Sequence, residues 1–441
     1  MAAEIYWEPD VERLPRPALA RLQLERLRET LAWCAARVPV YRKALETARI
    51  VPGAVGDVAD LARVPFTTKG DLREHYPFGL FGVPLSEVRR IHASSGSRGK
   101  PTVVGYTARD LQMWSDCMAR GLTAAGARPG DLLHVAYGYG LFTGGLGFHY
   151  GAERLGCTVV PVSSGNTLRQ IQLLQDFRPQ GLACTPSFAL HLAEAMREAG
   201  VDGRGLGLRW GAFGAEPWTE GMRREIEARL GLAAVDCYGL SEVIGPGVAT
   251  ECATARDGLH VNEDHFLVEV IDPASGSPLP PGREGELVFT SLTKEAFPVL
   301  RYRTGDLSSL TVDPCRCGRT LARMARVKGR TDDMLVIRGV NVYPSQIEAV
   351  LLEMPELAPH YQLVVDRAGA LPRLDVHVEV AERVLADWGG WRPDRPEAAA
   401  LRQAVAERLR AGLALSTEVT LVAPKTVPRS EGKAVRVVDR A

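Results

Sequence analysis

No stretch of this chain approaches the ~18 consecutive apolar residues of a membrane-spanning helix, and the segment Met1 to Asp10 lacks the apolar core of a secretory signal. Both absences point to a protein that stays in the cytoplasm. Charge of one sign is missing too: 53 basic residues balance 53 acidic ones, which gives no reason to expect nucleic acid or an acidic membrane surface as a partner. Cysteine is sparse. Eight thiols spread over 441 residues do not form a disulfide framework, and in a reducing compartment most are expected to be small buried apolar residues. Internal repeats and low-complexity tracts are also lacking. What remains is long enough for about two to four domains and apolar enough for a large core.

A helical segment from Pro17 to Arg37 carries an imperfect apolar stripe of Leu22, Leu24, Leu27, Leu31 and Trp33. Between about 130 and 310, apolar runs such as 132–136 and 158–162 alternate with helical patterns such as Thr219 to Leu230. That alternation predicts an α/β domain on largely parallel sheets, with ligands at strand ends. From about 265 the strands draw together, Phe266 to Ile271 and Gly285 to Thr290 being separated by a Pro/Gly-rich turn, which predicts an antiparallel end. After the turn at 329–333 comes a small α+β tail, with helices near 345–353 and 397–413 and strands near 361–366 and 374–380. The domain cut is placed between 329 and 330.

The run Ser94-Ser95-Gly96-Ser97-Arg98-Gly99-Lys100-Pro101-Thr102 gathers two glycines, four hydroxyls and two cations. Glycines let the backbone approach an anion, and hydroxyls, amides and cations donate to phosphate oxygens. A bland polar loop shares that composition. A Walker A loop is excluded, because four residues must separate its first glycine from Gly-Lys and only two do here.

Six further segments narrow the reading: YGYGLFTGGLGFHYGAE at 137–153, FGAEPW at 213–218, DCYGLSEVIGPGVATEC at 236–252, FPVLRYRTGDL at 297–307, GRTDDMLVIRGVNVYPSQIE at 329–348 and VPRSEGKAVRV at 427–437. Together with the loop at 94–107 they resemble, in order and along nearly the whole chain, the phenylacetate-CoA ligase family of the adenylate-forming acyl-CoA synthetase superfamily. The resemblance implies a large N-terminal AMP-binding and acyl-binding domain and a small mobile C-terminal lid domain. It also implies a two-step reaction. A carboxylate attacks the α-phosphorus of ATP to give acyl-AMP and pyrophosphate, and the thiol of coenzyme A then displaces AMP.

Such chemistry needs a cation and fixed donors where charge builds on phosphate. The resemblance assigns that cation to Lys433, the ribose hydroxyls to Asp306, a Mg²⁺ contact to Glu242 and adenine stacking to Tyr238. Gly214, Ala215, Glu216 and Pro217 form the other wall of the adenine site, with Asp236, Gly239 and Ser241 flanking the nucleotide and Arg330 reaching phosphate. Ser94, Ser95, Gly96, Ser97, Gly99 and Lys100 cover the outer phosphates, and Asp332 falls at the superfamily's hinge. An exposed lysine near a chain end, a turn aspartate and a helix-start GAEP are the plain structural readings of the same residues.

For the acid, Tyr137, Phe142, Gly144, Phe148, His149 and Ser187 are the candidates, since glycines and aromatics suit a flat ring-accepting slot. Core packing explains the same aromatics. Phe148 departs from the family, which usually has alanine there. A ring pointing into the pocket shortens it, which favours a benzoate-type acid such as anthranilate over phenylacetate. Cys252 and His260, with seven residues between them, and Cys315 and Cys317 either close a structural Zn²⁺ site or stay as free thiols. ATP, Mg²⁺ and coenzyme A are the expected cofactors and co-substrates. A carrier protein's phosphopantetheine arm is the alternative acceptor, a non-catalytic acyl-AMP binder the reading from another class, and a homodimer a natural state for the family.

Overall fold

The alternation between 130 and 240 folds into a parallel sheet in a computed structural model that describes residues 5–94, 101–331, 333–337, 340–366, 373–413, 417–429 and 434–440. Strands Thr158–Val160, Leu132–Val135, Gly181–Cys184, Trp210–Gly214 and Ala233–Leu240 lie side by side in that order, each pair parallel. Gly181–Cys184 and Trp210–Gly214 are buried at every position, as strands covered on both faces must be.

Antiparallel pairing starts earlier than the sequence suggests. Gly245–Glu251 folds back on Ala233–Leu240, then Leu259–Val261, Arg323–Met324 and Leu310–Thr311 extend the same nine-stranded sheet. The reversal was hard to see because its turn lacks an Asn-Gly or Asp-Gly pair. It depends on close backbone approach: a Cβ on Gly239 would lie 1.9 Å from the carbonyl oxygen of Gly245, itself at φ 110°. Phe266–Ile271, Gly285–Ser291 and Tyr302–Ser308 pair antiparallel in a separate sheet.

Helices are punctuated by ordinary capping chemistry. Thr107 and Asp110 form a capping box at the start of Ala108–Ala125, and Gly126 ends that helix at φ 110°. The first long helix spans Arg16–Arg37, but its buried face is Leu19, Gln23, Leu27, Thr30, Leu31 and Cys34. Leu22, Leu24 and Trp33 lie off that face, only half-buried. The Trp33 indole N–H donates to the Glu295 carbonyl at 3.1 Å, so a polar bond decides its position.

The chain forms two compact units. One holds the segments up to Cys184, Arg204–Ala215 and Gly231–Arg326; the other holds Thr185–Gly203, Glu216–Leu230 and the chain from Val327 on. In the second unit, Glu418–Val422, Arg373–Val380, Leu357–Asp366 and Val437–Arg440 form a four-stranded sheet in that order. Helices Pro344–Leu352 and Pro396–Leu413 bury Ile347, Leu351, Val405 and Leu409 with Leu363 and Val376 of that sheet. Each such side chain contributes about 1.5–3 kcal/mol when taken fully out of water, so this unit has an apolar core of its own.

Candidate active site

The first unit brings together several residues that lie far apart in sequence. The Tyr238 hydroxyl donates to Asp306 Oδ2 at 2.6 Å, and the Tyr238 ring stacks on Phe289 at 6.1 Å between centroids. Asp306 sits on the strand Tyr302–Ser308 after Gly305, whose φ is 78°, and its backbone N–H donates to Thr304 Oγ1 at 2.9 Å. The Gly305 N–H donates to Glu286, which also pairs with Arg303. This buried carboxylate is therefore held on a braced, irregular stretch of strand, with two oxygens for adjacent hydroxyls. Asp236, one strand position before Cys237, donates its N–H to Glu251 at 2.9 Å and lies 3.8 Å from Arg326. A Cβ on Gly214 would meet the Cys237 carbonyl oxygen at 2.0 Å, so only glycine fits there. Ala215 follows at φ 70°, a left-handed conformation that costs an alanine about 1–2 kcal/mol. Strain of that kind gathers at binding sites.

Glu242 lies buried on the turn after Ala233–Leu240. Ser241 Oγ is 3.2 Å from Thr143 Oγ1. The residue that sequence reasoning missed is Lys294, 3% exposed, whose ammonium donates to the Val243 carbonyl at 3.0 Å. Burial lowers this ammonium to about 8, against the pull of the Asp110 and Glu242 charges. The sequence does hold a signal for it, a single lysine among the buried Leu292, Ala296 and Phe297.

The run 137–153 is half-exposed or exposed over 138–142 and continues into a packed helix. Phe142 precedes the helix Thr143–Leu155, and a Cβ on Gly144 would lie 2.4 Å from the Phe142 ring. Gly147 and Gly151 bring this helix against Ala108–Ala125: added Cβ atoms would lie 2.7 Å from Trp114 and 2.2 Å from Met118. Phe148, 2% exposed, stacks on Tyr137 at 5.0 Å and 11°. His149 faces Tyr139, at 3.3 Å from its hydroxyl, and Glu153, at 3.2 Å.

Within the second unit, Glu216 is a junction. Its Oε1 accepts the Ser187 N–H at 2.8 Å, at the start of the helix Pro186–Glu198, and its Oε2 accepts the N–H of Ala434 at 2.9 Å. The FGAEPW and VPRSEGKAVRV runs, more than 200 residues apart in sequence, therefore meet at one carboxylate. Pro217 is exposed beside it. Arg330 lies 3.9 Å from Asp333, and a Cβ on Gly329 would meet the Tyr343 ring at 2.6 Å. Ser94 closes the base of its loop, donating its N–H to the Thr102 carbonyl at 3.0 Å and accepting the Thr102 N–H at 3.3 Å. Ser95, Gly96, Ser97, Gly99, Lys100, Asp332 and Lys433 lie outside the described residues.

The four soft ligands converge. The donor atoms of Cys252, His260, Cys315 and Cys317 all lie within 4.8 Å of one another, and all four residues are buried. Cys252 and Cys315 sulfurs are 3.8 Å apart, and Cys317 Sγ is 3.4 Å from His260 Nε2. With metal bonds of ~2.3 Å to sulfur and ~2.0 Å to nitrogen, a tetrahedral site needs separations of about 3.8 and 3.5 Å. A hydrogen bond from Cys252, with help from His260, lowers the Cys317 thiol well below its ordinary range against desolvation, toward the thiolate a metal ligand needs. The other five cysteines are buried thiols, as the composition suggests.

Comparison with known proteins covers almost the whole chain. A profile of AMP-binding enzymes matches residues 94–293, and one of the AMP-binding enzyme C-terminal domain matches residues 339–441. A phenylacetate-coenzyme A ligase from Thermus thermophilus is 54% identical over 98% of this chain and 99% of its own length. One from Escherichia coli is 51% identical over 96% of this chain and 94% of its own. Among solved structures, a 2-hydroxyisobutyryl-CoA ligase in its postadenylation state with R3-HIB-AMP superposes with a TM-score of 0.93 at 33% identity, covering 100% of this chain and 93% of that one. Among the described residues, no helix is long and apolar enough to cross a membrane.

Proposed function

From the premise that the chain belongs to the phenylacetate-CoA ligase family of adenylate-forming enzymes, we propose that it converts phenylacetate, ATP and coenzyme A into phenylacetyl-CoA, AMP and pyrophosphate. The end-to-end likeness to phenylacetate-coenzyme A ligases carries this reading. It replaces the benzoate-type acid suggested by Phe148, since a ring stacked flat on Tyr137 is no measure of how short the acyl pocket is.

A carboxylate is a poor acyl donor because its charge repels nucleophiles. The first step joins it to the α-phosphorus and expels pyrophosphate, so that the thiol later meets an acyl group bearing AMP as leaving group. Lys433 bridges the incoming carboxylate and the α-phosphate. Asp306 accepts the ribose hydroxyls, a role its fixed, buried place on the strand and the Tyr238 bond support. Glu242 supplies a hard oxygen to Mg²⁺ on the phosphates. Tyr238 and Gly214 to Pro217 enclose adenine, Asp236, Gly239 and Ser241 flank the nucleotide, Arg330 reaches phosphate, and the loop from Ser94 to Lys100 covers the leaving group. Tyr137, Phe142, Gly144, Phe148, His149 and Ser187 line the acyl side. A lid domain beginning at 330 turns about Asp332 between the two half-reactions.

The proposal extends to one structural Zn²⁺ held by Cys252, His260, Cys315 and Cys317, whose spacing fits a closed tetrahedral site with no open position for chemistry. Bound there, it would cross-link the end of Gly245–Glu251 to the turn at 315–317, which also meets the N-terminal segment through the Tyr6 hydroxyl on the Cys317 carbonyl. The catalytic reading is tested by incubating the protein with ATP, Mg²⁺ and phenylacetate, with and without coenzyme A, and weighing the products. Phenylacetyl-AMP without the thiol and phenylacetyl-CoA with it are expected; neither product from any aromatic acid would refute the assignment.

A further inference from the structure

We propose that Lys294, Tyr106 and Trp114 are positioning residues that lock the turn carrying Glu242 and thereby set how well it holds Mg²⁺. This rests on the assignment of Glu242 as the metal contact. The turn is not a regular element. The N–H groups of Val243 and Ile244 both point back to the Leu240 carbonyl at 3.1 Å, and Gly245 and Gly247 take φ of 110° and 95°. The carbonyls of Val243 and Ile244 lie outside any ladder, and those of Pro246 and Gly247 lie at the start of Gly245–Glu251, where its register against Ala233–Leu240 shifts; buried ones must find donors.

Here four side chains from segments distant in sequence supply them in series. Lys294 Nζ donates to the Val243 carbonyl at 3.0 Å, the Tyr106 hydroxyl to that of Ile244 at 2.8 Å, and the Trp114 indole N–H to that of Pro246 at 2.8 Å. Asn262 Nδ2 continues the row on Gly247 at 2.8 Å. The donors also hold one another: Tyr106 and Trp114 stack at 5.0 Å and 17°, and the Lys294 ammonium sits 4.6 Å over the Tyr106 ring. A methionine would fill the Lys294 site at no desolvation cost. What the lysine adds is a donor aimed at the residue after Glu242 and a positive charge among the Asp110 and Glu242 carboxylates. A rigid backbone next to a ligand carboxylate is what outer-layer hydrogen bonds give a metal site, and losing one costs about 10–100-fold in metal affinity or activity.

The test measures the free Mg²⁺ that half-saturates acyl-AMP formation, at saturating ATP and acid, for Tyr106→Phe, Lys294→Met, Lys294→Arg and Glu242→Gln. Thioester formation from pre-made acyl-AMP is followed in parallel. Tyr106→Phe and Lys294→Met should raise the half-saturating Mg²⁺ about 10-fold, leave the thioester step near the parent rate, and be partly relieved in Lys294→Arg. Tyr106→Phe removes a single hydroxyl, so it carries the test if Lys294→Met does not fold. If Glu242→Gln shifts the Mg²⁺ requirement but neither Tyr106→Phe nor Lys294→Met does, the positioning role is refuted, even if both lower Tm. If Glu242→Gln itself leaves the requirement unchanged, the metal-contact assignment fails instead, and the positioning role with it.

Discussion

Ala215 is held at φ 70° directly after a glycine that admits no Cβ, so two consecutive residues of FGAEPW give up ordinary backbone freedom. Gly214 is needed for the close approach to the paired strand at Cys237, whereas the strain at Ala215 helps no strand and fits a backbone shaped for a ligand. At this scale the sharpest prediction concerns Lys433. Lys433→Ala should slow acyl-AMP formation by about 100-fold or more, as loss of one electrostatic donor does, while thioester formation from pre-made acyl-AMP continues. Equal loss in both half-reactions would contradict its role. The residues proposed for the site were visible through the resemblance of their motifs, and chemistry constrains their type: a two-oxygen acceptor for the role proposed for Asp306, a hard ligand for that of Glu242, soft ligands for those of Cys252 and Cys317. Lys294, Tyr106 and Trp114 were not, because they act through carbonyls, and any donor of the right reach serves a carbonyl.

At the scale of elements, the glycines of 137–153 fall into two groups. The ring-accepting slot is read from the glycines and aromatics of 137–145, and farther on Gly147 and Gly151 lie one helical turn apart and let Thr143–Leu155 press against Trp114 and Met118. Gly151→Ala should therefore overpack this contact, lowering stability by about 1–3 kcal/mol, read as a lower midpoint in urea; an unchanged midpoint would show that the helices can separate freely. In the second unit, Glu194 on Pro186–Glu198 accepts from His360 at 2.5 Å and meets Arg429 at 3.2 Å. Burial alone would raise its pKa, but these partners hold it at about 2, below its ordinary 4.5. A depressed carboxylate stabilises the fold above 4.5 and loses that contribution as pH falls toward 2. Glu194→Gln should accordingly lower Tm at pH 7, with the deficit shrinking between pH 4.5 and 2; a deficit independent of pH would contradict the ionic origin. Helix and strand positions were mostly legible from apolar periodicity. The reversal at Gly245 was not, since a turn made by close approach of two glycines has no composition signal of its own.

Across the whole molecule, the order of seven motifs was more informative than any one of them. Residues as distant as Tyr238 and Asp306, or Glu216 and Ala434, meet within their units as that order requires. The same logic applies to the four soft ligands, which come from two segments that neither spacing nor periodicity joins. The purified protein is expected to carry one zinc per chain, and Cys317→Ser or prolonged chelation should remove it and lower Tm; well under one zinc per chain in protein prepared without chelators would leave the cluster as free thiols. The substrate was the least legible feature, because one ring, Phe148, can line a pocket or fill a core, and sequence alone does not say which way it faces.

Competition between acids tests the central claim most directly. Equimolar phenylacetate, benzoate and anthranilate would be supplied with ATP, Mg²⁺ and coenzyme A, and the acyl-CoA products separated by mass in the initial phase. Phenylacetyl-CoA should predominate by about 10-fold or more, as expected when a methylene fills its site. Predominance of anthraniloyl-CoA or benzoyl-CoA would contradict the account.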